Sequence, residues 1–352
     1  MKPLPLERDA FPDSVGEPVT RLKFTALRLR ALDRQAWDEF AHRCGAGFRS
    51  SSAHLQSIRL KGLVGQSLQI WQAHLSQDGC SRPIAQCAVI ARSGRFIFYD
   101  GLQLLPESAP LWSEVMAGLL AELGPGEFEY GWEWNLEPPR EKLLAKLPGV
   151  NIVRVRSLAV HGVDFSRWPD WPSYYGQVRK SVRYEARAAE ARNSGLRLAV
   201  KRGLASAGSI VGLMNARAVM LRRKGVDLGG LRALAGHLFN ATVCPDMTYV
   251  ATVGQRGRVL AWYLGFEFGE LSYYWAGARA SEAFGAGWRL LLEMLKQAHD
   301  RSPNGKFLMG YVDCPDPNAA RAVGLLESRK ALRISEWPTS RVRFTWRPPP
   351  HI

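Results

Sequence analysis

One order of secondary-structure signals occurs twice in this chain, and it confines the fold more than any single motif does. In the later copy, Thr248 to Val253 alternates as a strand, Gly254-Gln255-Arg256-Gly257 turns it, and Arg258 to Phe268 runs back. Gly269-Glu270 then turns into a third strand, Leu271 to Ala276. Phe284-Gly285-Ala286-Gly287 opens a helical run from Trp288 to His299, and Lys306 to Val312 closes the unit as a strand. The earlier copy reads Leu68 to Leu75, Ile84 to Arg92, a Ser93-Gly94 turn, Arg95 to Tyr99, a helix over Leu111 to Leu123 and a strand from Phe128 to Trp134. That helix carries Leu111, Val115, Met116, Leu119 and Leu120 at helical spacing. The copies start 180 residues apart, too long for a solenoid period, so the pattern predicts a duplicated α/β unit.

At 352 residues the chain exceeds a typical single core, which agrees with two units. Residues 1–20 read as a loose Pro-rich arm, 21–163 as a first lobe and 164–352 as a second. Asp33 is set to cap a helix through Arg43, and Ser51 or Ser52 another through Lys61. Short helices are expected over 140–146, 206–224 and 229–241, and strands over 151–160 and 341–346.

The net charge of +15 is concentrated. From Gly176 to Arg232 there are thirteen Lys or Arg against Glu185, Glu190 and Asp227, a balance that attracts phosphates, nucleic acid or an anionic membrane surface. A helix is expected from Tyr175 to Asn193. Tyr175, Val178, Val182, Ala186 and Ala189 fall within roughly 80° of arc at about 100° per residue. Arg179, Lys180, Arg183 and Arg187 occupy the neighbouring arc.

Several classes are disfavoured. No run of 18 apolar residues marks a transmembrane helix. The start lacks an apolar signal core, so a cytoplasmic protein is expected. Cys44, Cys80, Cys87, Cys244 and Cys314 are scattered and odd in number, which fits reduced thiols. The seven histidines do not cluster, so neither a metal site nor a nucleophilic triad is expected.

With these words in place the chain resembles the tandem GNAT-fold acyltransferases. It is similar to Fem-type aminoacyltransferases and to the cellulose-biosynthesis-associated GNAT acetyltransferase group. The resemblance covers roughly residues 50 to 345. It rests on Val178-Arg-Lys-Ser-Val-Arg-Tyr-Glu-Ala-Arg187, Gly195-Leu196, Arg258 to Tyr263, Tyr273-Tyr274-Trp275-Ala276-Gly277 and Gly285 to Leu291. It implies an α/β (α+β) fold of two GNAT-like lobes, each a mixed, mostly antiparallel sheet flanked by helices. It also implies acyl-CoA as co-substrate, with no covalently bound cofactor. Gly285, Ala286, Gly287, Trp288 and Arg289 would hold its pyrophosphate, since a glycine-rich helix start presents free N–H groups and a positive dipole end. Glu282 stands where the family usually has Gln or Arg, and the first copy has no Gly-rich loop before its helix. The first lobe is therefore expected to lack a donor site.

Transfer in such a cleft requires a held carbonyl, a base for the attacking amine and an acid for the leaving group. Glu267 and Glu270 are base candidates, Asp313 a third carboxylate, and Tyr273 or Tyr274 the acid or carbonyl partner. Arg179, Lys180, Arg183 and Arg187 are expected on the acceptor side. The leading reading is N-acyl transfer from acyl-CoA to a small-molecule or cell-envelope amine. Its alternatives are aminoacyl transfer from tRNA, which the basic segment favours, and a non-catalytic module for anionic polysaccharide or membrane.

Overall fold

The computed structural model describes residues 21–60, 66–77, 80–193, 195–222, 230–280, 283, 285–313 and 326–349. Expectations placed on the 1–20 arm, Gly225, Glu282, Phe284 and Cys314 to Pro317 lie outside the described residues.

Each half builds the same ladder. The first contains β1 (Arg21–Leu27), β2 (Ser67–Gln77), β3 (Cys80–Arg92), β4 (Arg95–Phe98) and the short β5 (Gln103–Leu104). After α3 (Trp112–Leu123) comes β6 (Gly126–Tyr130), parallel to β4 over only three pairs, Arg95↔Glu127 to Ile97↔Glu129. The second half contains β8 (Arg197–Arg202), β9 (Thr248–Gln255), β10 (Arg258–Phe268), β11 (Leu271–Arg279), α9 (Ala286–Arg301) and β12 (Lys306–Asp313). There β12 runs parallel to β11, again over three pairs, Leu271↔Lys306 to Tyr273↔Leu308. Order β1-β2-β3-β4-β6 thus recurs as β8-β9-β10-β11-β12. These are two tandem GNAT-like lobes in a mostly antiparallel sheet flanked by helices.

The lobes are joined by exchanged strands. β7 (Val150–Asp164), which leaves the first lobe, pairs with β12 of the second, and β13 (Ser335–Trp346), at the far end of the chain, pairs with β6 of the first. β7 and β13 then pair with each other over twelve registered positions, from Ser335↔Gly162 to Trp346↔Val150. One thirteen-stranded sheet results among the described residues.

Helices cover both faces. On one face, α6 (Lys180–Arg192) and α9 bury Val182, Ala186, Leu290 and Leu295 against Ala251, Tyr263 and Phe307. On the other, α7 (Ala207–Arg222) and α8 (Gly230–Val243) pack Ile210, Leu213 and Ala241 on Val250, Leu264 and Ala276. On the first lobe, α1 (Arg34–Arg43) and α2 (Ser52–Leu60) bury Trp37, Leu55 and Ile58 on Ile70 and Ala88. Asp33 caps α1 through the Ala36 N–H at 3.1 Å, and the Ser51 hydroxyl oxygen accepts from the His54 N–H at 3.1 Å. The remaining helix of this half, α4 (Glu141–Leu144), is one turn long.

Two expectations need correction. The basic helix is two helices, α5 (Trp171–Gln177) and α6. Val178 turns extended at ψ 136° to bury its side chain, and the Arg179 N–H leaves the helix to donate to the Ala331 carbonyl at 2.9 Å. Second, Gly203–Arg222 is long and apolar enough to cross a membrane, with mean hydropathy 1.4. Its Ile210, Leu213 and Met214 are buried against the sheet, while 22% of the apolar stretch as a whole is buried.

Candidate active site

Residues 47–50 form a tight turn that the first lobe inserts against the second. Phe48 is buried in a cluster with Phe266, Tyr273, Leu308 and Val160, its ring stacked on Phe266 at 4.8 Å. The turn exists because Ser51 caps α2 behind it and the Trp37 indole N–H donates to the Ser50 carbonyl at 2.7 Å. Asp100, just after β4, lies under this turn and accepts the Ser50 hydroxyl at 2.5 Å. Burial raises the Asp100 carboxyl from 3.8 to about 6, against the pull of Ser50, Arg49 and the Gly47 N–H. Such a group changes charge near neutral pH, as a general base must.

Its neighbours are polar and buried. The Arg49 guanidinium is sandwiched 4.2 Å from the Tyr99 ring and 3.5 Å from Trp132, with Nη1 buried and unpartnered among the described residues. Burial lowers its pKa. Glu133 accepts Arg341 at 2.8 Å and Arg156 at 3.3 Å through Oε1, while Oε2 is buried without a partner among the described residues. Gly47 separates the Tyr273 hydroxyl from Asp100. A Cβ there would lie 2.8 Å from the hydroxyl oxygen and 3.4 Å from Asp100 Oδ2. Only a residue without a side chain lets the backbone pass this close to both groups.

An aromatic floor runs from this contact to the point where β11 and β12 diverge. Trp134 lies 6.0 Å from the Tyr273 ring and stacks on Trp275 at 5.4 Å. At the divergence sits Arg329, 5% exposed. Its Nη2 donates to the Met309 carbonyl at 2.7 Å, Nη1 approaches His161 Nδ1 at 3.4 Å, and Nε is buried without a partner among the described residues. It pairs with no carboxylate among the described residues, and burial lowers its pKa to about 10. Gly310, at φ 118°, is required here because a Cβ would collide with the Arg329 guanidinium.

The residues singled out in the sequence are dispersed relative to this centre. Tyr273 is part of it, 1% exposed, with its hydroxyl oxygen accepting weakly from the Phe48 N–H at 3.4 Å and its pKa raised by burial. Tyr274 packs beside Tyr263, within electrostatic reach of Arg329, and burial raises its pKa. Glu267 is neutralised at the hairpin end by Arg202 at 2.6 Å and Arg301 at 3.9 Å, and Glu270 lies in the turn that follows. Asp313 receives two bonds from Arg156, at 2.5 and 3.0 Å, which hold its carboxyl below the usual range. Both carboxylates are thus held by arginine partners.

The cations expected beside the acceptor lie on the α9 face of the sheet, away from Asp100. Arg179 pairs with Glu327 at 3.5 Å, Arg183 lies over Tyr175 at 5.8 Å, and Lys180 and Arg187 are exposed. The α9 start is also not the open cradle expected. Gly285 has φ 74°, and a Cβ there would collide with the Glu185 carbonyl of α6. The glycine serves helix packing. Gly287 faces Arg279, and Ala286 is fully buried. Trp288 packs against the core, while Arg289 is held by Glu190 at 2.7 Å and Glu293 at 2.9 Å. Arg289 therefore does not reach back toward the helix N-terminus.

Asp100 and Arg329 were missed in the sequence. Asp100 reads as a turn-former before Gly101, and Arg329 sits in a charged stretch, Glu327 to Lys330, with no pattern to mark it as buried. Among the described residues no cluster of metal-ligating side chains occurs, and Cys44, Cys80 and Cys87 are free thiols.

No protein-family model and no curated protein matches the sequence. Solved structures do match in fold. FemX superposes with a TM-score of 0.64 at 11% identity, over 91% of this chain and 96% of its own. A conserved protein of unknown function from Bacteroides thetaiotaomicron VPI-5482 gives 0.55 at 12% identity, over 93% of this chain and all of its own. L-PGS from Bacillus licheniformis gives 0.50 at 13% identity, over 90% and 91%. The chain has the GNAT-like, Fem-type fold that the sequence resemblance implies.

Proposed function

We propose that the protein transfers an acyl group from an activated ester to an amine, with Asp100 as general base and Arg329 as the group that stabilises the oxyanion. The amine nitrogen bonds to the carbonyl carbon, its proton passes to Asp100, and the carbonyl oxygen takes negative charge beside the Arg329 guanidinium. The ester C–O bond then breaks, and the departing oxygen takes the proton held by Asp100 to leave as a hydroxyl. The observation that carries this reading is the half-buried, nearly neutral-pH carboxyl of Asp100, packed against Gly47 beside Tyr273. A buried guanidinium without a carboxylate partner is costly to maintain, and stabilising transient negative charge is a function that offsets that cost.

The α9 start bears on the donor. Its glycine is used for contact with α6, and its arginine is neutralised by two glutamates. This favours aminoacyl-tRNA over acyl-CoA, because CoA binding at that loop needs an open anion cradle. The exposed cations Lys180 and Arg187 of α6, with Arg197 and Lys201 of the β8 edge, offer a surface for a phosphate backbone. The resemblance to Fem-type enzymes leans the same way, and an acceptor amine of the cell envelope fits it.

The deciding experiment is a transfer assay with radiolabelled aminoacyl-tRNA or acetyl-CoA against a panel of amines. Amide formation from aminoacyl-tRNA, weakening steeply between about 50 and 200 mM salt, is expected. Amide formation from acetyl-CoA alone would restore the acyl-CoA reading. Neither product, together with an Asp100→Asn variant that binds the same ligands as the parent, would leave a binding module.

A further inference from the structure

Strand β12 carries a bulge at the point where Arg329 sits. In its register with β7, Leu308 faces Gly162 and the next paired residue, Gly310, faces His161, so Met309 is the extra residue. A bulge of this kind re-aims the groups beside a site. Here the Met309 carbonyl accepts Arg329 Nη2 at 2.7 Å, and Gly310 leaves room for the same guanidinium. The third wall is His161 of β7, 2% exposed, whose Nδ1 lies 3.4 Å from Arg329 Nη1. It is the side-chain hydrogen-bond partner of Arg329 among the described residues.

These partners fix the hydrogen of the imidazole. A guanidinium only donates, so Nδ1, which faces it, accepts and Nε2 carries the hydrogen. Glu336 stands directly opposite His161 in the β7–β13 register, with Oε1 3.7 Å from Nε2. A carboxylate on that side of the ring favours this tautomer and makes the accepting nitrogen more basic. Protonating Nδ1 as well would set two buried cations 3.4 Å apart. Burial, Arg329 and Lys330 oppose that, Glu336 favours it, and the net effect lowers the His161 pKa. Lys330 is itself drawn to Glu327 at 3.6 Å.

The order carboxylate, imidazole, guanidinium has a consequence for Arg329. A carboxylate placed directly on it would neutralise the charge that a carbonyl oxygen is to meet. A neutral acceptor holds the guanidinium and leaves that charge available.

We propose that His161 is the positioning residue for Arg329: as a neutral acceptor backed by Glu336, it aims the guanidinium without cancelling its charge. The proposal rests on the oxyanion role given to Arg329 above, while the contact itself stands on the bulge geometry.

Two readouts test it without any transfer assay. Nitrogen-15 spectra of the histidine-labelled parent at pH 7 should show His161 as the neutral Nε2–H form. Exchange of the Arg329 Nε–H with water should quicken by about tenfold in His161→Phe. It should return most of the way in His161→Gln, whose amide oxygen accepts in the same place. In transfer assays kcat of His161→Phe should fall by about tenfold or more with KM unchanged, and His161→Gln should recover most of it. An imidazolium or an Nδ1–H form in the parent overturns the proposal, as do parental exchange and kcat in His161→Phe. Equal losses in the two variants also overturn it, because they mark a packing role. A parent that transfers no acyl group removes the function proposed above, and the tautomer and exchange readouts then still decide the contact. The tautomer is read on the parent itself, so the test holds should the phenylalanine chain fail to fold.

Discussion

Replacing Asp100 by Asn should make the protein more stable and far less active. In the folded state the carboxyl titrates at about 6, against 3.8 in the unfolded chain. The folded state thus keeps a proton that the unfolded chain has released. Stability from this group is fully present below about pH 4 and is lost as pH rises through about 6. Above that, the ionised carboxylate costs the fold up to about 3 kcal/mol, less whatever solvent reaching a partly buried group screens. Asn keeps an oxygen for the Ser50 hydroxyl and the Gly47 N–H and carries no charge. At pH 7.5 its unfolding midpoint should rise by a few degrees, while at pH 4 parent and variant should melt together. Transfer should fall by about 10²–10⁴, and the parent rate should climb with pH through about 6. Calorimetric melts at the two pH values and single-turnover transfer read both effects. An Asn variant that is less stable at pH 7.5, or as active as the parent, would refute the reasoning.

Arg329→Met should leave stability within about 1 kcal/mol or raise it, since a buried charge without a carboxylate is exchanged for a similar apolar volume. In single-turnover assays the same variant should lose rate with little change in substrate affinity. Gly285→Val should cost about 2 kcal/mol or more in urea titrations, because φ 74° strains a β-branched residue and its Cβ meets the Glu185 carbonyl; a fully stable variant would reopen the phosphate-cradle reading of that loop. Arg156→Ala frees Asp313, whose folded pKa is held down by that partner. The stability this pair contributes is present above the unfolded carboxylate pKa and lost as pH falls through the folded value, so parent and variant melting curves should converge in acid.

The elements were legible where the chain is regular. Thr248 to Val253, Leu271 to Ala276 and the apolar stripe of α3 gave their own period, and the recurring order exposed the duplication. What failed was the assignment of cause to a residue type. Gly285 looks the same in sequence whether it makes room for a phosphate or for the backbone of α6, because both demand a missing Cβ and a positive φ. Arg289, Glu267 and Asp313 carry the right chemistry, but each is paid off by a partner distant in sequence: Glu190, Arg202 and Arg156. Asp100 could not be found by spacing, because its raised proton affinity comes from burial beneath a turn fifty residues earlier.

The exchanged strands explain why the site lies at the seam. β7 completes the second lobe and β13 the first, so each lobe ends on a strand supplied from the other side of the duplication. Helices α1 and α2 cover one flank of the sheet and α7 and α8 the other. Arg154 and Arg343, on the strands between, remain exposed. Polar side chains on those strands are held in place by residues from both halves, as Glu133 is by Arg156 of β7 and Arg341 of β13. A centre assembled this way is fixed only when both lobes are folded, which couples the stability of the whole sheet to the geometry of Asp100 and Arg329. The two halves of the sheet repeat one strand order. The charge left uncompensated where their last strands cross distinguishes the seam from either parent lobe.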